Sequence, residues 1–339
     1  EYGIKTVKLL NYSYWEKRAE YNEDYFGRVR WMTKEEEAAS RSGWTIETEH
    51  YTIHTNHSLE AGVEVAQRLE MLNEVWRQIF IRYFATKEQV KAMFMGRATM
   101  IPVPRHEVVV YRDRLNYIQA LSRQIQGVEN TVGLYSSGPQ KAYFYVDDGF
   151  DAKLTMLHEA THQLFQESRQ ATPTPAEKCN FWVMEGIACY MESLRKENNY
   201  YVIGGFEDDV RLRAATVHLI RDDWYIPLKD FTAMSCREFQ ADPRMAMLYS
   251  QASGIMTFLV HHNGGEYRDA LVAYLQAVYT ERDTPNLLAE LTGKSYEELD
   301  EEYRQFITEG VERYSEKRRN EMNFQPNMQP RFHRFGPEQ

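Results

Sequence analysis

The pattern of apolar and polar positions changes along the chain and predicts strands first and helices later. Residues 44–55 alternate in character and are rich in β-branched side chains, which is typical of strands. Over residues 63–80 apolar side chains recur at spacings of three, four and seven. This spacing predicts an amphipathic helix that begins at a Ser58 cap and extends to about Phe84. Residues 106–111 again have the pattern of a strand.

A β-hairpin is predicted at residues 132–146, around a turn-forming Ser-Ser-Gly-Pro sequence. Its alternation places Tyr143 and Tyr145 on one face of the second strand, and Ala142 and Phe144 on the other. Beyond the hairpin the chain has almost continuous helical patterns. The predicted helices span residues 152–169, 179–197, 207–221, 245–262, 266–280, 284–292 and 295–314.

The order of these elements predicts an α+β fold, because strands and helices segregate along the chain. A doubly wound sheet would require them to alternate. We expect a peripheral lead-in at residues 1–43, an α+β subdomain at 44–150, and a mainly helical subdomain at 151–314. Residues 315–339 are polar and lack apolar periodicity, which predicts an extended or disordered tail.

Composition excludes several classes of function. The 339 residues carry a formal net charge of −10 and have no lysine- or arginine-rich stripe, so nucleic acid is not an expected partner. No stretch approaches the roughly 20 apolar residues of a membrane-spanning helix. Three cysteines form no disulfide framework, although one bridge is possible. They also form no thiolate cluster, so any metal is expected to have nitrogen and oxygen ligands.

The most informative motif is His-Glu-x-x-His at residues 158–162, within a predicted helix. At 3.6 residues per turn His158 and His162 lie one turn apart on the same face, where two imidazoles can hold one metal ion. Glu159, beside them, is placed to act as a general base on a water activated by that metal. The alternative is that both histidines are ordinary surface or core residues and that Glu159 is a solvated charge.

A catalytic zinc site requires a third protein ligand. Metzincins supply a third histidine shortly after the motif, but Phe165 and Ser168 occupy the corresponding positions here. Glu185 is the better candidate, since the 22 residues between it and His162 are enough to end one helix and return on another. It lies in an apolar stretch, where an unpaired carboxylate is costly. The alternative for Glu185 is an ion pair with a lysine or arginine.

The two segments HEATH and EGIACYMES, with Trp182 shortly before the second, resemble the gluzincin zinc metallopeptidases, and in particular the peptidase-MA-like bacterial domains. The resemblance implies a zincin-like fold, with His158, His162 and Glu185 as zinc ligands and Glu159 as the catalytic base. Residues 249–259 are similar to a later helix of that family. By this similarity Tyr249 is a candidate donor to the oxyanion of the tetrahedral intermediate, although a core or surface role for Tyr249 stays open.

The sequence departs from the gluzincin pattern four residues after Glu185. Many gluzincins have an acid there that orients a zinc-ligating histidine, whereas this chain has Cys189, a poor acceptor that we expect to be a buried small residue. Support for the histidine is therefore expected from elsewhere. Glu192, Ser193 and a backbone carbonyl are the candidates.

These features together predict a zinc-dependent metallopeptidase that acts on a peptide or protein substrate. The predicted hairpin at 132–146 is the candidate edge that pairs with an extended peptide. Two alternatives stay open, namely an inactive zincin-like scaffold that binds zinc or a protein, and a zinc hydrolase for a non-peptide amide or ester. An exported location is expected from the resemblance alone, and the sequence does not predict an oligomeric state.

Overall fold

A computed structural model of the chain describes residues 5–8, 43–97, 101, 104–146, 150–198, 200–206 and 209–323. The architecture is mixed α+β, as predicted. The strands are β1 (Lys5–Lys8), β2 (Trp44–Glu47), β3 (Tyr51–Thr55), β4 (His106–Tyr111), β5 (Gly133–Ser136), β6 (Lys141–Tyr145), β7 (Arg195–Glu197) and β8 (Tyr200–Val202). The helices are α1 (Leu59–Ile79), α2 (Ile81–Phe84), α3 (Lys87–Phe94), α4 (Arg114–Leu121), α5 (Phe150–Glu167), α6 (Phe181–Glu192), α7 (Val210–Ile220), α8 (Leu228–Ala233), α9 (Cys236–Ala241), α10 (Met245–His261), α11 (Arg268–Val278), α12 (Leu287–Thr292) and α13 (Tyr296–Asn323).

The main sheet is mixed, with the strand order β1-β2-β3-β4-β6-β5. Strands β2 and β3 form an antiparallel hairpin, and so do β5 and β6. Strand β4 is parallel to both of its neighbours, β3 and β6. The hairpin predicted at residues 132–146 is confirmed, and its first strand, β5, lies at the edge of the sheet. Within the described residues one side of β5 therefore has no partner strand.

The two faces of β6 are covered as the alternation predicted. Ala142 and Phe144 belong to the main core, which α1, α5 and the helices of the second half share. Tyr143 and Tyr145 belong to a smaller cluster on the opposite face of the sheet, beneath α4. The main core is continuous from β2 to α13. The proposed subdomain boundary at residue 150 stays a prediction.

Helix α6 lies between α5 and α10 in the second half. Its contact with α10 is close at Gly186, where an added Cβ would lie 2.8 Å from the backbone oxygen of Ala252. Glycine is therefore required there by space rather than by backbone conformation. The close contact fixes the depth of α6 in the core and, with it, the position of the preceding residue, Glu185.

The prediction for residues 179–197 is wrong at its C-terminal end. Helix α6 ends at Glu192, and β7 pairs with β8 in a short antiparallel hairpin. Ser193 ends the helix: its hydroxyl donates to Tyr190 O at 2.6 Å and accepts from Gly204 N at 2.7 Å. The hydrogen bonds that a serine hydroxyl makes to neighbouring backbone groups replace those that would continue the helix. Apolar periodicity gives no sign of such bonds.

The terminal segments also need correction. Helix α13 continues to Asn323, so the predicted extended tail is wrong for residues 315–323. Residues 315–319 are exposed, and this end of the helix is rich in Glu, Lys and Arg, which have high intrinsic helix propensity. Residues 324–339 lie outside the described part. Residues 5–8 form the edge strand β1, which the sequence did not predict because four residues are too few for a periodicity to be recognised. Most of the predicted lead-in at residues 1–43 lies outside the described residues.

Two predictions made from composition can be compared with the structure. No helix in the described part of the chain is both long and apolar enough to cross a bilayer. All three cysteines are free, so the optional bridge is not formed.

Candidate metal centre

The His-Glu-x-x-His motif lies on α5, which packs against β5 and α6. His158 and His162 are one helical turn apart and face the same way, as predicted. Their rings meet edge to face with centroids 4.8 Å apart, and their Nε2 atoms are separated by 3.2 Å. Two imidazole nitrogens at this separation are poised to share one positive ion.

Glu185 reaches the histidines from α6. Its Oε2 atom lies 3.1 Å from His158 Nε2, and its Oε1 atom lies 3.8 Å from His162 Nε2. The start of α6 is held by Asn180, a fully buried residue with a left-handed backbone (φ 61°). The Asn180 amide donates to Asp283 Oδ2 at 2.7 Å and accepts from the Tyr274 hydroxyl. These bonds anchor the helix that carries Glu185.

The three side chains are close enough together to hold one metal ion. Ligand atoms ~2.0–2.2 Å from a tetrahedral metal lie roughly 3.3–3.6 Å from one another. His158 Nε2 lies 3.1 Å from Glu185 Oε2 and 3.2 Å from His162 Nε2, while His162 Nε2 lies 3.8 Å from the other carboxylate oxygen, Oε1, so the separations are near this range. The donor set of two imidazoles and one carboxylate is that of an open catalytic zinc site rather than a closed structural one. The structure thus brings together the three predicted ligands.

The charges of the cluster also suit a cation. Burial lowers the pKa of His162 to about 4, so this imidazole is neutral at neutral pH. Burial opposes the ionisation of Glu185, but the neighbouring His162 and His158 outweigh it and lower the pKa of that carboxyl. For His158 burial is outweighed by hydrogen bonds to Cys189 and Glu185, which raise its pKa well above the usual value. A metal ion must therefore displace a proton from His158.

Glu192 supplies the support for His158 that the sequence left open. His158 Nδ1 donates to Glu192 Oε1 at 2.8 Å, and Arg211 Nε donates to Glu192 Oε2 at 3.2 Å. Of the three candidates, the Glu192 carboxylate is therefore the one that binds His158. The Ser193 hydroxyl instead binds the backbone at the end of α6. Cys189 is fully buried beside this pair, as expected. Burial raises the pKa of its thiol to about 11, which keeps it neutral.

The bond from His158 to Glu192 predicts the effect of a conservative substitution. Glu192→Gln removes the negative charge that holds the Nδ1 proton, so Nε2 becomes a weaker ligand. We expect zinc affinity to fall roughly 10–100-fold. Competition with a chromophoric chelator measures the affinity, and Glu88→Gln on exposed α3 is the control. An affinity equal to that of the wild type would show that Glu192 does not support the ligand.

Glu159 lies outside the group of three ligands and faces the edge strand. Its Oε2 atom accepts a hydrogen bond from the backbone N–H of Tyr135 in β5 at 2.9 Å. Burial raises the pKa of Glu159 to about 7, against the opposing effect of His158. A carboxylate with this pKa, next to residues that could hold a metal ion, is suited to accept and return a proton near neutral pH.

Tyr249 is brought to the same cluster by α10. Its ring centroid lies 6.3 Å from that of His158, and its side chain is close enough to Glu185 for the two groups to influence each other's ionisation. The guanidinium of Arg211 lies over the Tyr249 ring, 5.6 Å from the centroid. Tyr249 is therefore a neighbour of the ligands rather than a remote core residue, which the sequence had left open.

Sequence reasoning missed two members of the site, Tyr135 and Arg211. Tyr135 contributes a backbone amide, so its side chain gives no signal, although β5 itself was singled out. Arg211 is one of many charged residues on the predicted helices. No spacing links it to Glu192, because the two meet only through tertiary packing.

His162 Nδ1 has no hydrogen-bond partner among the described residues, although it is buried.

No protein-family model matches the sequence, and no curated protein is significantly similar to it.

Proposed function

We propose that this protein is a zinc-dependent metallopeptidase of the gluzincin type, with a zincin-like fold. The observation that carries the proposal is the convergence of His158, His162 and Glu185 from two helices, with Glu159 beside them and against the edge strand. The mixed sheet and the helical second half accord with a zincin-like arrangement.

When bound, zinc supplies a Lewis acid that polarises a carbonyl group and acidifies a water molecule. Glu159 accepts a proton from the attacking water as the water oxygen adds to the peptide carbonyl. It then delivers this proton to the leaving amine as the carbon–nitrogen bond breaks. His158 and His162 would hold the metal as neutral ligands. The ionised Glu185 would be the third ligand, and its negative charge would offset part of the charge of the zinc ion.

The position of β5 supports a peptide as the substrate. The N–H of Tyr135 donates to Glu159 rather than to β6, so the side of β5 without a partner strand lies next to this carboxylate. An extended peptide that adds to this edge gains main-chain hydrogen bonds and has its backbone next to Glu159. Tyr249 lies beside the ligands, where its phenol can donate a hydrogen bond to the oxyanion of the tetrahedral intermediate.

Removal and return of the metal test the proposal. Zinc-loaded protein is expected to hydrolyse an unfolded protein such as casein, to lose all hydrolysis after dialysis against a chelator, and to regain it with one equivalent of zinc. Zinc content, measured by mass spectrometry of the metal, should fall as the pH drops, because the raised pKa of His158 lets protons compete for the site.

The same assay separates the two alternatives. A protein that binds one zinc ion but cleaves neither casein nor a diverse peptide library would be an inactive scaffold. Zinc-dependent hydrolysis of small esters or amides without peptide cleavage would indicate a hydrolase of another class. Either result would contradict the proposed peptidase activity.

A further inference from the structure

Helix α3 is short and ordered, and its surface is exposed. A capping box fixes its start, because the Thr86 hydroxyl accepts from Gln89 N and the Gln89 side chain accepts from Thr86 N. Its end is closed as well, since the backbone N–H groups of residues 95–97 donate to carbonyl oxygens of residues 91–93. All eight residues of the helix are at least partly exposed. The exposure therefore belongs to a formed helix with both ends capped.

Three large apolar side chains surround the C-terminal end of α3 and form its apolar tip. Phe94 is 89% exposed, Met95 is 54% exposed and Met93 is 45% exposed. Because consecutive residues of a helix are about 100° apart, the three side chains point in different directions around the helix end. Single exposed apolar side chains are ordinary, but a cluster on an ordered element indicates a surface that contacts an apolar environment.

The surroundings of the apolar tip are basic. Residues 86–97 contain three basic residues and one acid, so this segment carries a net charge of +2 in a chain whose net charge is −10. The basic residues, Lys87, Lys91 and Arg97, are all exposed. Both lysines share one helix face with Phe94, at spacings of seven and three residues. At 1.5 Å per residue, Lys91 lies about 4.5 Å and Lys87 about 10.5 Å behind Phe94 along the helix axis.

This arrangement matches the depth profile of an anionic lipid bilayer. Apolar side chains of a peripheral helix enter the acyl boundary by ~5–10 Å, which leaves the two lysines at the level of the phosphate groups. Backbone groups near the acyl region must be paired, and the closed turn at residues 95–97 meets that requirement. A protein partner fits less well, because three side chains are too few to supply the roughly 800 Å² that each partner of a stable complex buries.

From these observations we propose that the apolar tip of α3 binds an anionic lipid surface, with Phe94 in the acyl boundary and Lys87 and Lys91 at the phosphate groups. The contact is peripheral, since a helix of eight residues is too short to cross a bilayer. It involves none of the residues of the candidate metal centre. The proposal therefore holds or fails independently of the proposed peptidase function.

Sedimentation of the full chain with lipid vesicles tests the proposal. We expect at least about 10-fold tighter binding to vesicles with about 30% phosphatidylserine than to vesicles of phosphatidylcholine alone. Phe94→Ser should weaken binding to the anionic vesicles at least about 10-fold, because no ring then leaves water. Lys91→Gln should weaken it about 5-fold. Ile220→Ser, which removes a 51% exposed apolar side chain from α7, is the matched control and should bind as the wild type does.

Fluorescence measures whether position 94 enters the bilayer. In Phe94→Trp protein bound to anionic vesicles, lipids with brominated chains are expected to quench more emission than in the wild type. Ile220→Trp protein should show only the quenching of the wild type. Far-UV circular dichroism of Phe94→Ser should equal that of the wild type, because the ring is exposed and its loss leaves the core intact.

Two results would overturn the proposal. One is a wild-type protein that binds neither kind of vesicle, or that binds the anionic vesicles no better than Phe94→Ser does. The other is self-association in sedimentation velocity that Phe94→Ser abolishes, without any binding to vesicles. In that case a second copy of the chain, rather than lipid, would cover the apolar tip.

Discussion

Glu159→Gln protein is expected to retain one zinc ion and to lose peptide hydrolysis. The amide of glutamine has nearly the same size as the carboxylate, but it has no basic oxygen to accept the proton of the attacking water. Since a general base contributes about 10²–10⁴-fold to such a reaction, we expect kcat to fall by at least about 10²-fold. Zinc content should stay that of the wild type, because Glu159 is not among the three proposed metal ligands.

Hydrolysis of a quenched fluorescent peptide measures kcat, and metal analysis of the same sample measures the zinc content. Glu177→Gln, an exposed position between α5 and α6, is the control for the loss of a carboxylate. The assignment of Glu159 would be wrong if the variant turned over substrate at the wild-type rate. If zinc were lost together with activity, Glu159 would be a ligand rather than the base.

Gly186→Val is expected to have the largest effect on stability. A Cβ at this position lies 2.8 Å from the backbone oxygen of Ala252, closer than real Cβ contacts, so α6 and α10 must move apart. We expect the free energy of unfolding to fall by at least ~2 kcal/mol, since overpacking of a well-packed core costs about 1–3 kcal/mol or more. Zinc affinity should fall too, because Glu185 moves with α6.

Urea unfolding of the zinc-free proteins measures the change without a contribution from bound metal. Gly138→Val is the matched control, because no heavy atom lies within 4 Å of a Cβ built on this exposed turn residue. We expect the control to change the free energy of unfolding by less than about 0.5 kcal/mol. Equal effects of the two variants would mean that the contact of α6 with α10 does not position Glu185.

Local sequence was sufficient to predict the relative positions of the site residues that lie on one helix. His158, Glu159 and His162 are related by helical periodicity alone, so their common face follows from any helix over these residues. Glu185 was harder, because it is on another helix. It was still recognisable, since a carboxylate in an apolar stretch requires a partner and the intervening chain is long enough to return.

The sequence could not predict features that depend on the contact between two secondary-structure elements. Glu192 was one of three candidates for the support of His158, and only the packing of α6 against α5 selected it. Arg211 pairs with Glu192 because α7 lies across the end of the cluster. The contact of Tyr135 with Glu159 depends on the register of β5, which the alternation of side chains does not determine.

The order of amino acids thus determined the α+β class, the hairpin before α5, and the prediction that His158, His162 and Glu185 lie together beside Glu159. Each of these follows from short-range periodicity or from the cost of burying a charge. Tertiary packing alone decided which acid holds His158, where α6 ends, and which backbone amide faces Glu159. These features arise from contacts between residues far apart in the chain, and those contacts are fixed only when the whole core is packed.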